Sequence, residues 1–383
     1  MKIAIDISQI VYQGTGVDTY TRNLVKELLR LNSTHKHDYI LFGTSLRRKH
    51  TLDQYAQELM EEGLKFKTSF WLLPPTFTNQ IWNQIHHVRI ERLIGKIDLF
   101  HSSDWVQPPT RAKKVTTIHD LVVYKHPQSS HSEITSVQKR KLHWVKKECD
   151  AIIVDSEATK KDCQEILKIP QSKMHVVYLA AGNSVDDFVR QSQNFRKEQV
   201  ENVRRKYHLT KPYILAVGTR EPRKNLDRLI KSASKIPEVN LVIAGKFGWG
   251  DQMKNDNFRM INVNVLGYVP EQDMPALYSG AECYVHPSLY EGFGVTVLEA
   301  MTLGVPVVTS KASSLPEAGG EAALYVNPKN TNDIESKIKQ VLTLSQKGRS
   351  AIISKGLKQA SKFSWEKTAL ETLNVYEKVY GDK

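Results

Sequence analysis

Short runs of Val, Ile and Leu recur along the chain and alternate with segments whose apolar residues fall at helical spacing. Runs that are apolar throughout are typical of strands buried on both faces of a parallel sheet. The pattern predicts six strands in each half of the chain. They are 2–8, 39–43, 98–102, 115–119, 151–155 and 174–179, followed by 213–218, 240–245, 261–267, 283–287, 305–309 and 323–327.

Helical segments separate these strands, so the order is strand–helix, repeated in two successive sets. This order predicts an α/β fold with two doubly wound domains. The length of 383 residues suits two domains of ordinary size. The charged stretch 183–206 lacks strand character and is predicted to join them. Segment 363–380 is predicted to close the chain as a helix.

Composition and charge narrow the function classes. The apolar fraction of 40% and charged fraction of 25% are typical of a soluble globular protein. The opening residues MKIAIDISQI are predicted to form a first strand rather than a leader, and no apolar run is long enough for a membrane span. The scattered residues Cys149, Cys163 and Cys283 fit reduced thiols in a cytoplasmic protein better than a disulfide framework or a zinc site.

The formal net charge of +13 suggests phosphorylated ligands or an anionic membrane surface. No zinc-finger spacing or aromatic-basic pattern points to nucleic acid. The basic clusters Arg47–Lys49, Lys113–Lys114, Lys139–Lys141 and Lys146–Lys147 are interpreted first as solvated surface and second as membrane-facing. The apolar run Phe70–Leu73 is likewise either core or a membrane contact.

The stretch 286–310, HPSLYEGFGVTVLEAMTLGVPVVTS, is the most informative part of the chain. A strand ends near its start, a glycine-containing loop follows, and a helix is predicted from Val295. Such a loop and helix start would stabilise a diphosphate through backbone N–H groups. Glu291 and Glu299 bracket it and would accept hydrogen bonds from hydroxyls at its two ends. Taken singly, each glutamate would be interpreted as an ordinary surface residue.

Three further stretches follow predicted strands, where doubly wound sheets bind ligands. In 213–226, a buried strand leads to three basic residues that would neutralise a leaving diphosphate, and Asn225 is predicted to cap the next helix. In 113–120, His119 would donate to a sugar hydroxyl or move a proton, although a lone histidine is more often structural. In 14–20, GTGVDTY, the glycines suit backbone contact with an anion or sugar, a weak signal without a third glycine.

Together these stretches resemble the retaining glycosyltransferases of family 4, which have the GT-B fold. The resemblance covers nearly the whole chain, and its most specific element is the pair of glutamates separated by seven residues. The sequences GTREPRKN and TIHDL most resemble those of the mannosyltransferase-like branch of the family. The matching stretches are GTGVDTYTRNL, DLFHSSD, VTTIHDL, AIIVDSEATKKD, VGTREPRKN, LGYVPEQDMPALYSGA, PSLYEGFGVTVLEAM, GVPVVTS, SLPEAGG and FSWEKTA.

The resemblance implies two Rossmann-like domains facing across a cleft. The implied acceptor domain spans 1–185, the nucleotide-sugar domain spans 186–362, and a helix over 363–383 crosses back to the first domain. The implied reaction transfers a hexose, mannose from GDP-mannose by preference, to a glycan or lipid-linked acceptor. No cofactor and no catalytic metal are expected. The expected location is the cytoplasm, with peripheral contact to a membrane as a further option.

The resemblance also implies roles for individual residues. Glu291 would orient the donor sugar, Glu299 would hold the ribose, Lys224 would bind the diphosphate and His119 would contact the sugar. The residues expected to act with them at the donor are Gly14, Gly16, Arg220, Arg223, Val265, Gly292, Phe293, Gly294 and Val295.

The chain departs from the family at one position. Many relatives carry an arginine directly after the Val-Gly of the strand, where this chain has Thr219. Arg223 and Lys224 are therefore preferred as the phosphate-binding pair, with Arg220 as a less certain third cation.

Two other functions stay open at this point. A nucleotide-sugar epimerase of similar architecture would release a changed sugar nucleotide with no acceptor present. A catalytically silent subunit would bind the nucleotide sugar without releasing nucleotide diphosphate. A sugar phosphorylase of the same fold is disfavoured because no lysine context indicates a pyridoxal site.

Overall fold

A computed structural model describes residues 1–35, 37–246 and 262–381, with the side chains of 33–35 excepted. Two parallel sheets form its framework, as the continuous apolar runs predict. The chain divides into two compact units, described separately below. The first unit contains Met1–Tyr124, Ser132–Leu179 and Trp365–Lys383, and the second contains Lys125–His131 and Ala180–Ser364.

The sheet of the first unit has seven strands in the order β3-β2-β1-β4-β5-β6-β7, all paired in parallel. The strands are β1 (Lys2–Asp6), β2 (Asp38–Thr44), β3 (Lys67–Trp71), β4 (Leu99–Ser102), β5 (Lys113–Ile118), β6 (Ala151–Val154) and β7 (Met174–Val176). The helices are α1 (Gly16–His35), α2 (Lys49–Glu61), α3 (Pro75–Asn79), α4 (Glu91–Ile94), α5 (Val122–Lys125), α6 (Ser132–Glu148) and α7 (Glu157–Asp162).

The sheet of the second unit has the order β10-β9-β8-β11-β12-β13, again parallel. Its strands are β8 (Tyr213–Val217), β9 (Asn240–Ala244), β10 (Val263–Gly267), β11 (Cys283–His286), β12 (Val307–Ser310) and β13 (Leu324–Val326). Its helices are α8 (Asn183–Arg190), α9 (Gln193–Lys206), α10 (Leu226–Ala233), α11 (Met274–Ser279), α12 (Val295–Thr302), α13 (Leu315–Gly319), α14 (Thr331–Leu342) and α15 (Gln346–Ala360).

The predicted α/β class and both doubly wound sheets are confirmed. Most predicted strands end one to three residues early, because the polar residues after each apolar run belong to loops. Residue 261, the predicted start of one strand, lies outside the described residues. The stretch 183–206, predicted as the join, forms α8 and α9 within the second unit.

Among the strands that the structure describes, one was not predicted. β3 lies at the edge of the first sheet and has the sequence KTSFW, with both lysine and threonine exposed. An edge strand is covered on one side only, so it needs no continuous apolar run. Phe70–Leu73, considered as core or membrane contact, therefore begins in this strand. Trp71 and Leu72 are exposed there.

Two of the basic clusters are not purely surface features. Lys114 and Lys141 are nearly fully buried. The Nζ atom of Lys114 lies 2.6 Å from a carboxylate oxygen of Glu148, and that of Lys141 lies 3.0 Å from a carboxylate oxygen of Asp104. Buried charges persist when they are paired in this way. The interpretation of these two lysines as solvated is therefore wrong.

The C-terminal helix, α16 (Trp365–Gly381), belongs to the first unit and packs against α1. The hydroxyl of Thr368 donates to the carbonyl of Tyr178 at 2.7 Å, and the hydroxyl of Tyr376 meets Nδ1 of His101. The predicted return of this helix to the first domain is confirmed. Among the residues that the structure describes, none of the helices combines the length and apolar character needed to cross a bilayer.

Candidate functional site

The second sheet reverses its strand order between β8 and β11, which is where doubly wound sheets bind ligands. Residues that follow these two neighbouring parallel strands meet at the same edge of the sheet. The basic residues after β8 and the acidic loop after β11 therefore lie together, although nearly seventy positions separate Lys224 from Glu291 in sequence. The predicted phosphate-binding pair and the first predicted glutamate thus form one group.

Glu291 is the centre of a buried charge cluster. Its Oε2 accepts a hydrogen bond from Nη1 of Arg223 at 2.6 Å, and its Oε1 accepts one from Nζ of Lys224 at 2.7 Å. Nε2 of His286 lies 2.9 Å from the same Oε1. Arg223 also pairs with Glu221 at 2.7 Å. We call these five residues the Glu291 cluster.

The cluster balances its own charge. Burial by itself would raise the pKa of Glu291, but Arg223 and Lys224 hold it well below its ordinary value. Burial lowers the pKa of Lys224, and Glu291 opposes that effect. Two carboxylates face two permanent cations, so the cluster is close to neutral. An arriving anion would find cations that already have a carboxylate partner.

The loop from Glu291 to Gly294 is fixed by two devices. Gly294 caps α12 with φ at 118°, and a Cβ there would lie 3.0 Å from Cδ2 of Leu315. The hydroxyl of Ser314 donates to the carbonyls of both Glu291 and Phe293 at 2.9 Å. The loop therefore keeps its backbone path without any side-chain cap on α12.

The loop residues predicted to touch the donor differ in how exposed they are. Phe293 is buried, and its ring packs at 5.5 Å from that of Phe363, so it can offer only its backbone to a ligand. Gly292 and Val295 are partly exposed, and Val295 is the first residue of α12, as predicted.

Glu299 lies within α12, away from the charge cluster. The hydroxyl of Tyr278 donates to its Oε2 at 3.0 Å. Burial raises the pKa of Glu299 to about 7, and Glu271 adds to the rise. The carboxyl group is therefore close to half protonated near neutral pH. Among the residues that the structure describes, no cation pairs with Glu299, in contrast to Glu291.

Two expectations about the loop after β8 need correction or refinement. Asn225 does not cap α10: it adopts a left-handed backbone with φ at 59°, and its side-chain amide donates to the carbonyls of Pro287 and Pro328. It thus ties the loop after β8 to the loop after β11. Arg220, the less certain third cation, is buried, and burial lowers its pKa.

Sequence reasoning missed three residues around these glutamates. His286, Tyr284 and Tyr278 are all buried and were not singled out. The available signal was a histidine and a tyrosine at alternate positions of the strand 283–287, where a fully buried strand is expected to be apolar throughout.

In the first unit, His119 follows β5 and is oriented by Asp155, which follows the neighbouring β6. The ring Nδ1 of His119 lies 2.7 Å from Oδ2 of Asp155, and Tyr20 packs edge-on at 4.6 Å. Burial opposes the charged form, but Asp155 raises the pKa of His119 overall. Asp155 was missed, although an acid directly after the strand 151–154 was a usable signal.

The remaining predicted donor residues lie before and at the start of α1 and within β10. Gly14 has φ at 75° and donates its N–H to Oδ2 of Asp18 at 2.9 Å. Gly16 begins α1, and nothing lies within 4 Å of where a Cβ would stand. Val265 lies in β10, the edge strand of the second sheet, and is half-buried.

A metal centre finds no support in the described parts of either unit, where no three His, Cys, Asp or Glu side chains are grouped to hold an ion. The charged side chains of the Glu291 cluster instead pair with each other. Its arrangement can bind an anion through Arg223 and Lys224 once Glu291 releases them.

Comparison with known proteins identifies the family. Residues 14–181 match the family described as Glycosyltransferase Family 4, and residues 199–359 match Glycosyl transferases group 1. The O-antigen chain mannosyltransferase B of Escherichia coli is 32% identical over 98% of this chain and 100% of its own length. The chain belongs to glycosyltransferase family 4. It is accordingly a glycosyltransferase.

Further similar proteins, one found by sequence and one by structure, are consistent with this family. An uncharacterised glycosyltransferase of Methanocaldococcus jannaschii is 29% identical over 74% of this chain and 76% of its own length. The solved structure of Anabaena HepE with UDP and glucose matches with a TM-score of 0.72 at 16% identity, covering 99% of this chain and 100% of that one. The GT-B fold class predicted from the family resemblance is therefore confirmed.

Replacing Glu299 by Gln is expected to stabilise the ligand-free protein at neutral and alkaline pH. Because the folded-state pKa of about 7 exceeds the ordinary value of 4.5, the folded state binds this proton more tightly than the unfolded state does. The resulting stability is present below pH 4.5 and is lost as the pH rises toward 7. Glutamine does not titrate, so Glu299→Gln should gain roughly 3 kcal/mol over the native protein at pH 8 and little at pH 5.

Urea unfolding of both proteins at pH 5 and pH 8 measures this difference. The matched control is Glu238→Gln, which changes an exposed glutamate of the same unit and should show no such dependence on pH. An equal effect of Glu299→Gln at both pH values would contradict the expectation.

Proposed function

We propose that this glycosyltransferase transfers a hexose, mannose from GDP-mannose, to a glycan or lipid-linked acceptor, with retention of configuration at the anomeric carbon. The observation that carries the proposal is the Glu291 cluster, which places Arg223 and Lys224 beside a carboxylate at the strand-order reversal. The mannosyltransferase relative supports mannose as the sugar. The Anabaena structure with UDP and glucose supports a nucleotide-sugar donor, although with a different base.

The three parts of the donor would occupy three parts of the second unit. The diphosphate would bind Lys224 and Arg223 together with the start of α12, where cations and backbone N–H groups both favour an anion. The sugar hydroxyls would bond to Glu291, and the ribose hydroxyls would bond to Glu299. Val265 and its neighbours would flank the base.

Donor binding would exchange partners within the Glu291 cluster. In the described structure both oxygens of Glu291 are occupied by cations, and the loop carbonyls are fixed by Ser314. A diphosphate that takes over Lys224 and Arg223 would free acceptor sites on Glu291 for hydroxyls. A buried ion pair held ready in this way costs desolvation before the ligand arrives. The cost is consistent with a site kept for an anionic ligand.

Cleavage of the sugar–phosphate bond builds positive charge on the ring and negative charge on the diphosphate. Lys224 and Arg223 would stabilise that negative charge most strongly in the transition state, and that difference accelerates the reaction. We propose that these cations do so without a metal ion. Retention would follow from attack on the leaving-group face, with the departing phosphate oxygen taking the proton of the acceptor hydroxyl.

His119 would donate a hydrogen bond to a sugar hydroxyl. The hydrogen bond from its Nδ1 to Asp155 fixes the orientation of the ring. Nε2 is then the nitrogen available to donate.

The acceptor side is proposed to act at the cytoplasmic face of a membrane. Leu46 and Leu72 are 51% and 61% exposed, and the N–H of Ser45 donates to the carbonyl of Trp71, which brings the ends of β2 and β3 together. The exposed Arg47 lies in the same loop. An exposed apolar patch beside a positive charge fits a surface of anionic lipid.

A thermal-shift panel with GDP, UDP, ADP and their common sugar conjugates tests the donor site. GDP and GDP-mannose are expected to raise the melting temperature, because a ligand that binds only the folded state stabilises it by about 2.7 kcal/mol at a hundredfold excess over Kd. Glu299→Gln should remove most of the shift. The proposal fails if no nucleotide shifts the native protein.

Lys224→Ala is expected to lower kcat at least about tenfold, because one buried charge-assisted contact to the leaving diphosphate is lost. Turnover is measured with EDTA present, and circular dichroism confirms that the variant is folded. The control is Lys231→Ala, which removes an exposed lysine of α10 and should leave kcat unchanged. Near-normal turnover of Lys224→Ala would remove this lysine from the mechanism.

Leu72→Asp is expected to lower co-sedimentation with vesicles of anionic lipid several-fold at low salt. The change removes apolar area and adds a repelling charge at the proposed membrane contact. Leu357→Asp, at a leucine of α15 that is 44% exposed in the second unit, is the control and should bind like the native protein. Equal binding of both variants, or no binding of the native protein, would end the membrane proposal.

A further inference from the structure

His286 bonds to the carboxylate at the centre of the Glu291 cluster. Its Nε2 lies 2.9 Å from Oε1 of Glu291, the same oxygen that accepts a hydrogen bond from Nζ of Lys224 at 2.7 Å. A carboxylate held by cations is ionised and offers only lone pairs, so Nε2 carries a hydrogen and donates it. A neutral imidazole and a protonated one both meet this requirement. The contact therefore does not depend on the charge of His286.

The ring of His286 is fixed from several sides. His286 is the last residue of β11 and is 3% exposed. The hydroxyl of Tyr284 lies 2.8 Å from Nδ1, and the hydroxyl of Thr309 donates to the backbone carbonyl of His286 at 2.9 Å. The hydroxyl of Ser288 lies 3.2 Å from Nε2, a longer contact than that with the carboxylate. The sheet thus aims the Nε2–H group of His286 at Glu291.

The backbone of Glu291 is fixed as well, but the direction of its carboxylate depends on its donors. The hydroxyls of Ser313 and Ser314 both donate to the backbone carbonyl of Glu291, the second at 2.9 Å. The side chain beyond this point has rotatable bonds, and its tip is held by the two cations of the cluster and by His286. A change of donors therefore changes where the carboxylate points.

These donors differ in whether a diphosphate can draw them away. Arg223 and Lys224 are long, flexible cations, and a diphosphate attracts both of them. His286 ends in an enclosed ring on β11 and does not have that reach. An ionised carboxylate that is buried without a donor is strongly destabilised. Without His286, Glu291 would then turn toward water or take up a proton, and either change would remove it from the sugar.

We propose that His286 is the positioning residue of Glu291, and that its Nε2–H group holds the carboxylate in place while the donor diphosphate engages Arg223 and Lys224. The inference rests on the proposed function, because it takes these two cations as ligands of the diphosphate and Glu291 as the ligand of the sugar hydroxyls. One lone pair of Oε1 stays with His286, and the lone pairs that the cations give up accept from the hydroxyls. His286 itself does not touch the donor.

GDP and GDP-mannose depend on His286 to different extents. GDP draws on the two cations but has no hexose hydroxyls, so among the described side chains His286 is the one that still donates to Glu291. GDP-mannose brings hydroxyls that donate to the same carboxylate. Loss of the Nε2–H donor therefore weakens the binding of GDP more than the binding of GDP-mannose. A merely structural role of His286 would weaken both by the same factor.

Calorimetry at neutral pH measures the Kd of GDP and of GDP-mannose for the native protein, His286→Leu and His286→Gln. Leucine has a similar volume and no donor, whereas the amide nitrogen of glutamine can take the place of Nε2. In His286→Leu the ratio of the Kd of GDP to that of GDP-mannose is expected to rise at least about fivefold, since a hydrogen bond to a charged group is lost. In His286→Gln the ratio is expected to stay within about twofold of the native value.

Tyr213→Phe is the matched control. It removes a buried hydroxyl of the adjacent strand β8, which donates to the carbonyl of Leu277 at 2.7 Å, and it should keep the native ratio. A Kd does not depend on the fraction of protein that is folded, so partial unfolding of a variant does not imitate the effect. His286→Met, also without a donor, takes the place of His286→Leu if circular dichroism shows that the leucine variant does not fold.

An unchanged ratio in the donor-free variant would overturn the inference. A His286→Gln variant that behaves like His286→Leu would also overturn it, because the donor would then not be what matters. A shifted ratio in Tyr213→Phe would overturn it by assigning the effect to the loss of any buried hydrogen bond in this sheet. The proposed donor site itself fails instead if the native protein binds neither nucleotide, or if Lys224→Ala binds both as tightly as the native protein.

Discussion

The arrangement of the second unit depends on one interaction, the contact of Glu291 with Arg223 and Lys224. Each of the three charges would be costly to bury alone, and Glu221, which pairs with Arg223, brings the group close to neutral. Their mutual attraction holds the loop after β11 against the turn after β8, and Asn225 joins the same two loops through neutral hydrogen bonds. A ligand that replaces one partner must therefore offer an equal charge, as a diphosphate does.

The two glutamates that the family motif groups by their spacing have pKa values shifted in opposite directions in the structure. Glu291 is surrounded by cations and stays ionised, whereas burial and Glu271 favour the neutral form of Glu299. Spacing along the chain could not distinguish them, because the difference comes from side chains that other strands and helices supply. The partners Arg223 and Tyr278 are distant from them in sequence, and only the fold brings each beside its glutamate.

Continuous apolar runs predicted the two parallel sheets because strands buried on both faces need such runs. The edge strand β3 escaped prediction because it does not need one. Lys224 was found because it belongs to a basic group directly after a predicted buried strand. Glu291 was found because it lies in a glycine-containing loop directly before a predicted helix. Asp155 and His286 were missed because each matters through a hydrogen bond to another candidate residue. A single sequence does not show which residues the fold brings together in this way.

The first unit uses the same construction as the second. His119 follows β5 and is held by Asp155 after the adjacent β6, just as Lys224 follows β8 and is held by a carboxylate after the adjacent β11. Parallel strands end at a common edge, so a titratable residue after one strand readily meets an acid after the next. The acid fixes the direction of its partner and favours the charged form. In a doubly wound sheet, the search for functional residues should therefore consider pairs on adjacent strands rather than single motifs.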